Sequence, residues 1–148
     1  MGMKSFFSIA ALLLVAGAMA AGPKWLTSYD EAVKQSKKTG KPILADFTGS
    51  DWCPPCIRLH KDVFSKPEFM KWAEKNVVLL ELDFPRRTKQ DAKLSKQNEA
   101  LANKYEIQGF PTVLILNSAG KVLGTSGFTP GSTPSSWIGE IKPFLAKK

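Results

Sequence analysis

Apolar and polar positions along this chain switch between a helical period and short apolar runs, and the switches mark out nine elements behind a long apolar start. Ser28-x-x-Glu31 has the form of a capping box and opens a helix to about Lys38. Thr39-Gly40-Lys41-Pro42 ends it, with Gly after the last turn and Pro beyond. Residues 43–48, Ile-Leu-Ala-Asp-Phe-Thr, read as a short buried strand. Residues 49–52 form a loop. Pro54 and Pro55 suit the first turn of a helix, whose leading N–H groups have no partner to lose, and that helix is expected to reach about Phe64. Ser65-x-x-Glu68, with Pro67 in the first turn, reads as a second capping box for a helix to about Lys75.

The second half follows the same grammar. Residues 77–84 are an apolar β-type run. Residues 85–96 read as a basic loop, with Arg86, Arg87, Lys89, Lys93 and Lys96 against Asp91, and residues 94–105 as a helix with Leu94, Leu101 and Tyr105 roughly on one face. Residues 112–116 and 121–125 flank Asn117-Ser118-Ala119-Gly120 and predict a hairpin. Thr133-Pro134 opens a last helix whose Trp137, Ile138, Ile141, Phe144 and Leu145 share a face, and Pro143 is expected to kink or shorten it. A βαβ unit followed by a hairpin and a helix predicts an α/β fold: a mixed central sheet flanked by helices on both faces.

The apolar start belongs to a different logic. Lys4 precedes an apolar stretch over residues 6–15, broken only by Ser8, and Ala18-Met19-Ala20 has the small-x-small pattern of a cleavage site. The stretch is short for a membrane span, which needs about 20 residues. Residues 1–20 are therefore expected to be a cleavable signal peptide, and residues 21–148 the working domain. Removing them leaves 128 residues with net charge +7, Lys4 being the one charge lost from the formal +8 of the 148-residue chain. That is one domain's worth of polymer. Export to a periplasm or the exterior argues against a nucleic-acid partner despite the basic balance, and it makes a disulfide permissible. No second long apolar run follows, so no stable membrane insertion is expected after cleavage.

Only two cysteines are present, which excludes a multi-bridge scaffold and any all-cysteine zinc site. They stand together as Cys53-Pro54-Pro55-Cys56, after a strand and at a helix start. At this spacing two thiols can close a small disulfide. The first lies where the helix N-terminus stabilises a thiolate, the form that attacks disulfides. His60, four residues beyond Cys56, leaves a soft-metal alternative, a copper carrier using Cys53, Cys56 and His60. Farther on, Gly109-Phe110-Pro111-Thr112 precedes a strand, and its X-Pro bond is a candidate for the cis form.

Taken together, Ala45-Asp46-Phe47, Trp52-Cys53-Pro54-Pro55-Cys56, Asp83 and the segment from Tyr105 to Thr112 resemble the thioredoxin superfamily, in particular its exported single-domain branch. The likeness runs from about Ser28 to Leu145, and the two motifs lie 58 residues apart between Cys53 and Pro111. The resemblance implies a thioredoxin fold and thiol-disulfide exchange. Cys53 would be the attacking and Cys56 the resolving cysteine of a redox-active disulfide. Pro111 would be the cis proline beside it. Trp52, Phe110, Pro111 and Thr112 would line the substrate-binding surface, with Phe110 touching the sulfurs. Asp46 matches the family's buried strand carboxylate, whose raised pKa would let it take the proton of Cys56. It stands seven residues before Cys53 where the family has six, so the loop between them is one residue longer. Asp51 is nearer in sequence and is expected in an exposed loop. The lysine that often accompanies the buried acid is replaced by Glu81 or Asp83.

The function these readings imply is an exported thiol-disulfide oxidoreductase acting on disulfides or thiols of other exported proteins. It would need no cofactor and no metal, would work as a monomer, and would exchange electrons with a separate redox partner protein. The absence of a His between the cysteines, and the two prolines there, argue for a reducing or intermediate couple rather than a strong oxidant. Three alternatives stand beside it: a net oxidase or isomerase, the copper carrier, and a binding module with a permanent bridge.

Overall fold

The computed structural model describes Gly2 and residues 22–147. The expected signal segment, residues 1–20, lies outside the described residues apart from Gly2. Helix α1 (Tyr29–Thr39) leads into strand β1 (Ile43–Thr48), then α2 (Pro54–Leu59), a π-helical turn (His60–Phe64) and α3 (Pro67–Asn76). Strand β2 (Val78–Asp83), α4 (Ala92–Lys104), the hairpin β3 (Thr112–Leu116) and β4 (Val122–Ser126), and α5 (Pro134–Leu145) complete the chain. The order is the one the sequence predicts.

The four strands form one mixed sheet in the order β2-β1-β3-β4. β1 runs parallel to β2 and antiparallel to β3, and β3 is antiparallel to β4. Leu26 adds a short parallel bridge outside β2, donating its N–H to the Leu79 carbonyl and accepting from Glu81.

Because side chains alternate across a strand, the sheet sorts the core into two halves. Leu44, Leu79, Val113 and Ile115 face Leu59, Val63, Phe64, Phe69, Trp137 and Ile141 from α2, the π turn, α3 and α5. Ile43, Ala45, Phe47, Leu80, Leu82 and Leu114 face Ala32 of α1 and Leu101 of α4. All six residues of β1 are buried, as a strand covered on both faces requires.

Four local expectations are corrected. Ser65 does not cap α3: Lys66 holds the N-cap position, and the Ser65 hydroxyl donates to the Lys61 carbonyl. The cause is the π turn, in which the Ser65 N–H reaches back to the His60 carbonyl and keeps Ser65 helical. That wider turn lets the adjacent Val63 and Phe64 both enter the core. α4 begins at Ala92 rather than Leu94, because the Asp91 carboxylate caps it by accepting the Leu94 N–H at 3.2 Å. Lys93 and Lys96 therefore lie on a helix, and the basic loop is shorter than its composition suggests. Finally, α5 runs past Pro143 to Leu145. The carbonyl that loses its partner there belongs to the exposed Gly139, where solvent can serve it.

Trp137 is the keystone of the first core half. It is fully buried, meets Phe64 edge-on at 5.0 Å and Phe69 at 6.0 Å, and donates its indole N–H to the Gly127 carbonyl at 3.0 Å. Trp137→Ala is expected to lower unfolding stability by about 3–5 kcal/mol in urea titration, and a loss under about 1 kcal/mol would contradict this packing.

Candidate active site

The two cysteines are bonded to one another at the C-terminal end of β1. Cys53 is the N-cap residue of α2, with Pro54 and Pro55 as its first two helical residues, and both cysteines are 3% exposed. The Phe110–Pro111 peptide bond is cis, and the Phe110 carbonyl oxygen lies 3.7 Å from the Cys53 sulfur. The Phe110 ring lies against Phe84 at 4.9 Å and edge-on to Trp52 at 6.1 Å. Thr112 opens β3 and donates its hydroxyl to the Gly109 carbonyl at 2.7 Å.

The longer loop before Cys53 is absorbed as a tight turn: the Trp52 and Cys53 N–H groups both donate to the Gly49 carbonyl. The Gly49 N–H in turn donates to the Cys56 sulfur at 3.4 Å. A side chain at Gly49 would enter the Trp52 indole, so glycine is what lets Trp52 fold back over the turn. Trp52 is half-buried there. Its indole N–H donates to the Phe84 carbonyl at 2.7 Å, and the Arg86 guanidinium lies 3.5 Å above its ring.

With the extra residue taken up, Asp46 arrives behind the disulfide. It is 7% exposed and lines a cleft of about 300 Å³ together with Cys56, His60 and Glu81. Its Oδ1 is buried with no hydrogen-bond partner, an expensive position for a charge. Burial first, then the neighbouring Glu81 and Asp83, push its pKa up to about 8. Glu81 stands opposite Asp46 across β1 and β2, and its own pKa is raised by burial and by Asp83. Asp83 instead pairs with Thr48 and accepts the Ser50 N–H and hydroxyl at 2.9 and 2.6 Å. Of the two acids that sequence offered in place of the missing lysine, Glu81 is the one beside Asp46.

Asp51 stands in the loop before Cys53, as expected, and there it is a hub of hydrogen bonds. Its carboxylate accepts the N–H groups of Arg86, Arg87 and Thr88 at 2.8–3.0 Å, and the Thr88 hydroxyl at 3.2 Å. The Arg86 N–H leads the contacts that hold its pKa below the ordinary value. Sequence reading also passed over Ile57, a large apolar side chain 45% exposed beside Cys56. Its spacing carries no signal, because helix periodicity alone does not reveal which apolar residue stays uncovered.

His60 is exposed at the mouth of the cleft. Among the described residues, no three His, Cys, Asp or Glu side chains converge to hold a metal ion in this disulfide-bonded form. A larger cleft, of about 480 Å³, lies at the opposite end of the sheet between α1 and the end of α5 and contains neither cysteine.

The profile of the thioredoxin-like domain family matches residues 29–142, from the start of α1 into α5. This chain belongs to the thioredoxin superfamily. It is similar to the disulfide bond reductase DsbH of Chlamydia pneumoniae, 35% identical over 126 residues that cover 85% of this chain and 75% of that protein. The solved structure of a DsbH oxidoreductase superposes with a TM-score of 0.79 at 33% identity, covering 95% of this chain and 96% of the other. The thiol:disulfide interchange protein DsbD of Klebsiella pneumoniae is 35% identical over 96 residues, which are 65% of this chain and 14% of that much longer protein. A thioredoxin from Thermus thermophilus shares the fold, with a TM-score of 0.63 at 20% identity over 86% of this chain and 90% of the other. The thioredoxin fold expected from the motifs is therefore the fold observed, and the chain is a thioredoxin-like thiol-disulfide oxidoreductase.

The raised pKa of Asp46 makes stability depend on pH. Folded Asp46 keeps its proton up to about pH 8, while the unfolded residue releases it near its ordinary 3.8. Between those values the folded state binds more protons, so stability falls as pH rises, by up to about 1.4 kcal/mol per pH unit. In urea titrations of the oxidised protein from pH 5 to 8, Asp46→Asn should retain only a weaker slope from Glu81. Parallel curves for the two proteins would show that Asp46 titrates normally.

Proposed function

We propose that this chain is an exported disulfide reductase that acts on disulfides of other exported proteins through Cys53 and Cys56. The observation that carries the reading is the Cys53–Cys56 disulfide held at the start of α2 against the Phe110 carbonyl, with the partnerless Asp46 carboxyl on the cleft behind Cys56. The likeness to a protein named disulfide bond reductase favours the reductive direction. Export rests on the signal-like pattern of residues 1–20. Among the described residues no helix is long and apolar enough to cross a membrane.

In the reduced enzyme the Cys53 thiolate attacks one sulfur of a substrate disulfide, and the substrate's other sulfur leaves as a thiolate. Cys56 then gives its proton to the ionised form of Asp46, and its thiolate attacks the Cys53 sulfur. The substrate's second sulfur departs, and the Cys53–Cys56 bridge closes. Asp46 suits the exchange because a pKa of about 8 is close to that of an ordinary thiol, about 8.5. The proton it holds in the oxidised enzyme returns to Cys56 when a dithiol partner protein attacks Cys53 and restores both thiols. The substrate chain would lie extended along the Phe110–Thr112 backbone, in the manner of strand addition, with Trp52, Pro111 and the exposed Ile57 as its apolar surface.

Two measurements test this. Against glutathione and dithiothreitol buffers, the Cys53–Cys56 couple is expected nearer to about −270 mV than to about −120 mV, and a value at the oxidising end would make the chain a disulfide donor. Cys53→Ser should abolish disulfide reduction, while Cys56→Ser should accumulate a mixed disulfide visible by mass spectrometry. A Cys56→Ser protein that turns over normally would rule out the resolving role.

A further inference from the structure

The basic loop after β2 is built into the redox site, and nothing in the exchange chemistry above uses its charge. Asp51, two residues before Cys53, ties three successive backbone N–H groups of the loop, those of Arg86, Arg87 and Thr88, to one carboxylate. Arg86 lies flat over Trp52, and Trp52 and Phe84 both contact Phe110, whose carbonyl meets the Cys53 sulfur. A continuous run of side chains thus joins the guanidinium of Arg86 to the disulfide.

The carboxylates of Asp51, Asp83 and Asp91 are each engaged by hydrogen bonds within the chain. Asp51 serves the loop's amides, Asp83 holds Ser50, and Asp91 caps α4. Arg86, Arg87 and Lys89 are exposed, and among the described residues the one side-chain ion pair is Arg58–Asp62, between α2 and the π turn. No loop cation is therefore neutralised by contact. A loop kept basic only for solubility would need neither the carboxylate clamp nor the stacking on Trp52.

We propose that Arg86, Arg87 and Lys89 form a docking site for an acidic segment of the substrate protein, a few residues from the disulfide that Cys53 attacks. An extended chain advances about 3.3 Å per residue, so an acid a few positions from the substrate cysteine reaches the loop while the cysteine stays at Cys53. Charge complementarity here acts chiefly by raising the encounter rate, and salt screens it. Asp51 is a positioning residue: it holds the loop and touches no substrate. The inference rests on the reductase reading but is tested apart from it.

The probes are two synthetic peptides with the same internal disulfide, one flanked by three Asp and one by three Lys, together with serine-for-cysteine versions of each. Full-length protein is titrated with the serine peptides by tryptophan fluorescence, and its reduction of the disulfide peptides is timed at low and at physiological salt. The acidic serine peptide should bind at least about tenfold more tightly at low salt, and the gap should shrink as salt is added. Arg87→Glu with Lys89→Glu should reverse the preference while leaving the rate with dithiothreitol and the reduction potential unchanged. Equal binding of the two serine peptides, or tighter binding of the basic one, overturns the docking site whatever the exchange assay shows. Preferential binding of the acidic peptide without reduction of either disulfide peptide would keep the docking site and remove the reductase reading.

Discussion

Strand β1 is buried along its whole length, and one of its six side chains is a carboxylic acid. Five of those positions are ordinary for a strand covered on both faces. The sixth, Asp46, keeps its proton up to about pH 8, since its buried Oδ1 has no donor to meet a charge. The rest of the site is arranged around that constraint. Glu81 across the ladder and Asp83 beyond it make ionisation harder still, and the cleft that Asp46 shares with Cys56 gives the proton a place to go. A folded chain gains nothing in stability from such an acid. Its position beside the resolving sulfur is intelligible as chemistry rather than as packing.

Carboxylates do a second kind of work on the surface of the same site. The segment between β1 and Cys53 is one residue longer than the family pattern, and a longer loop costs order. Here it is held by the Ser50–Asp83 contacts on one side and the Asp51 clamp on the other. Gly49 then lets Trp52 fold back so that its indole bridges Phe84, Phe110 and Arg86. The same two acids that order the loop also bring the β2–α4 connection alongside the disulfide. Loop geometry and partner recognition are thereby coupled through a few hydrogen bonds.

Much of this was legible beforehand. The strands announced themselves as short apolar runs bounded by Gly and Pro, and the helices by their caps and spacing. Where reading failed, the reason is local competition. Ser65-x-x-Glu68 has the letters of a capping box, but the π turn carries Ser65 inside the preceding helix, a choice set by the burial of Val63 and Phe64. Asp91 was read as a lone acid among cations because a cap is defined by where the helix starts, and the basic composition hid that start. Asp51 was read only as a loop acid for a different reason: its partners lie 35 to 37 residues away, and no spacing rule reaches that far.

The family resemblance implied that Pro111 lies beside the cysteine pair; the chain's pattern by itself determined the order of elements, the two-sided burial of β1 and the place of Cys53 and Cys56 at a helix start. These depend on periodicity and on motifs whose members are adjacent in the chain. Only the tertiary structure decided which acid sits beside Asp46, that the Phe110 carbonyl lies against the Cys53 sulfur, and that the loop from Arg86 to Thr88 is fastened beside Trp52. Each of those facts depends on strand register and on contacts between segments distant in sequence. Local patterns do not encode such contacts, because they arise only when the whole sheet has closed.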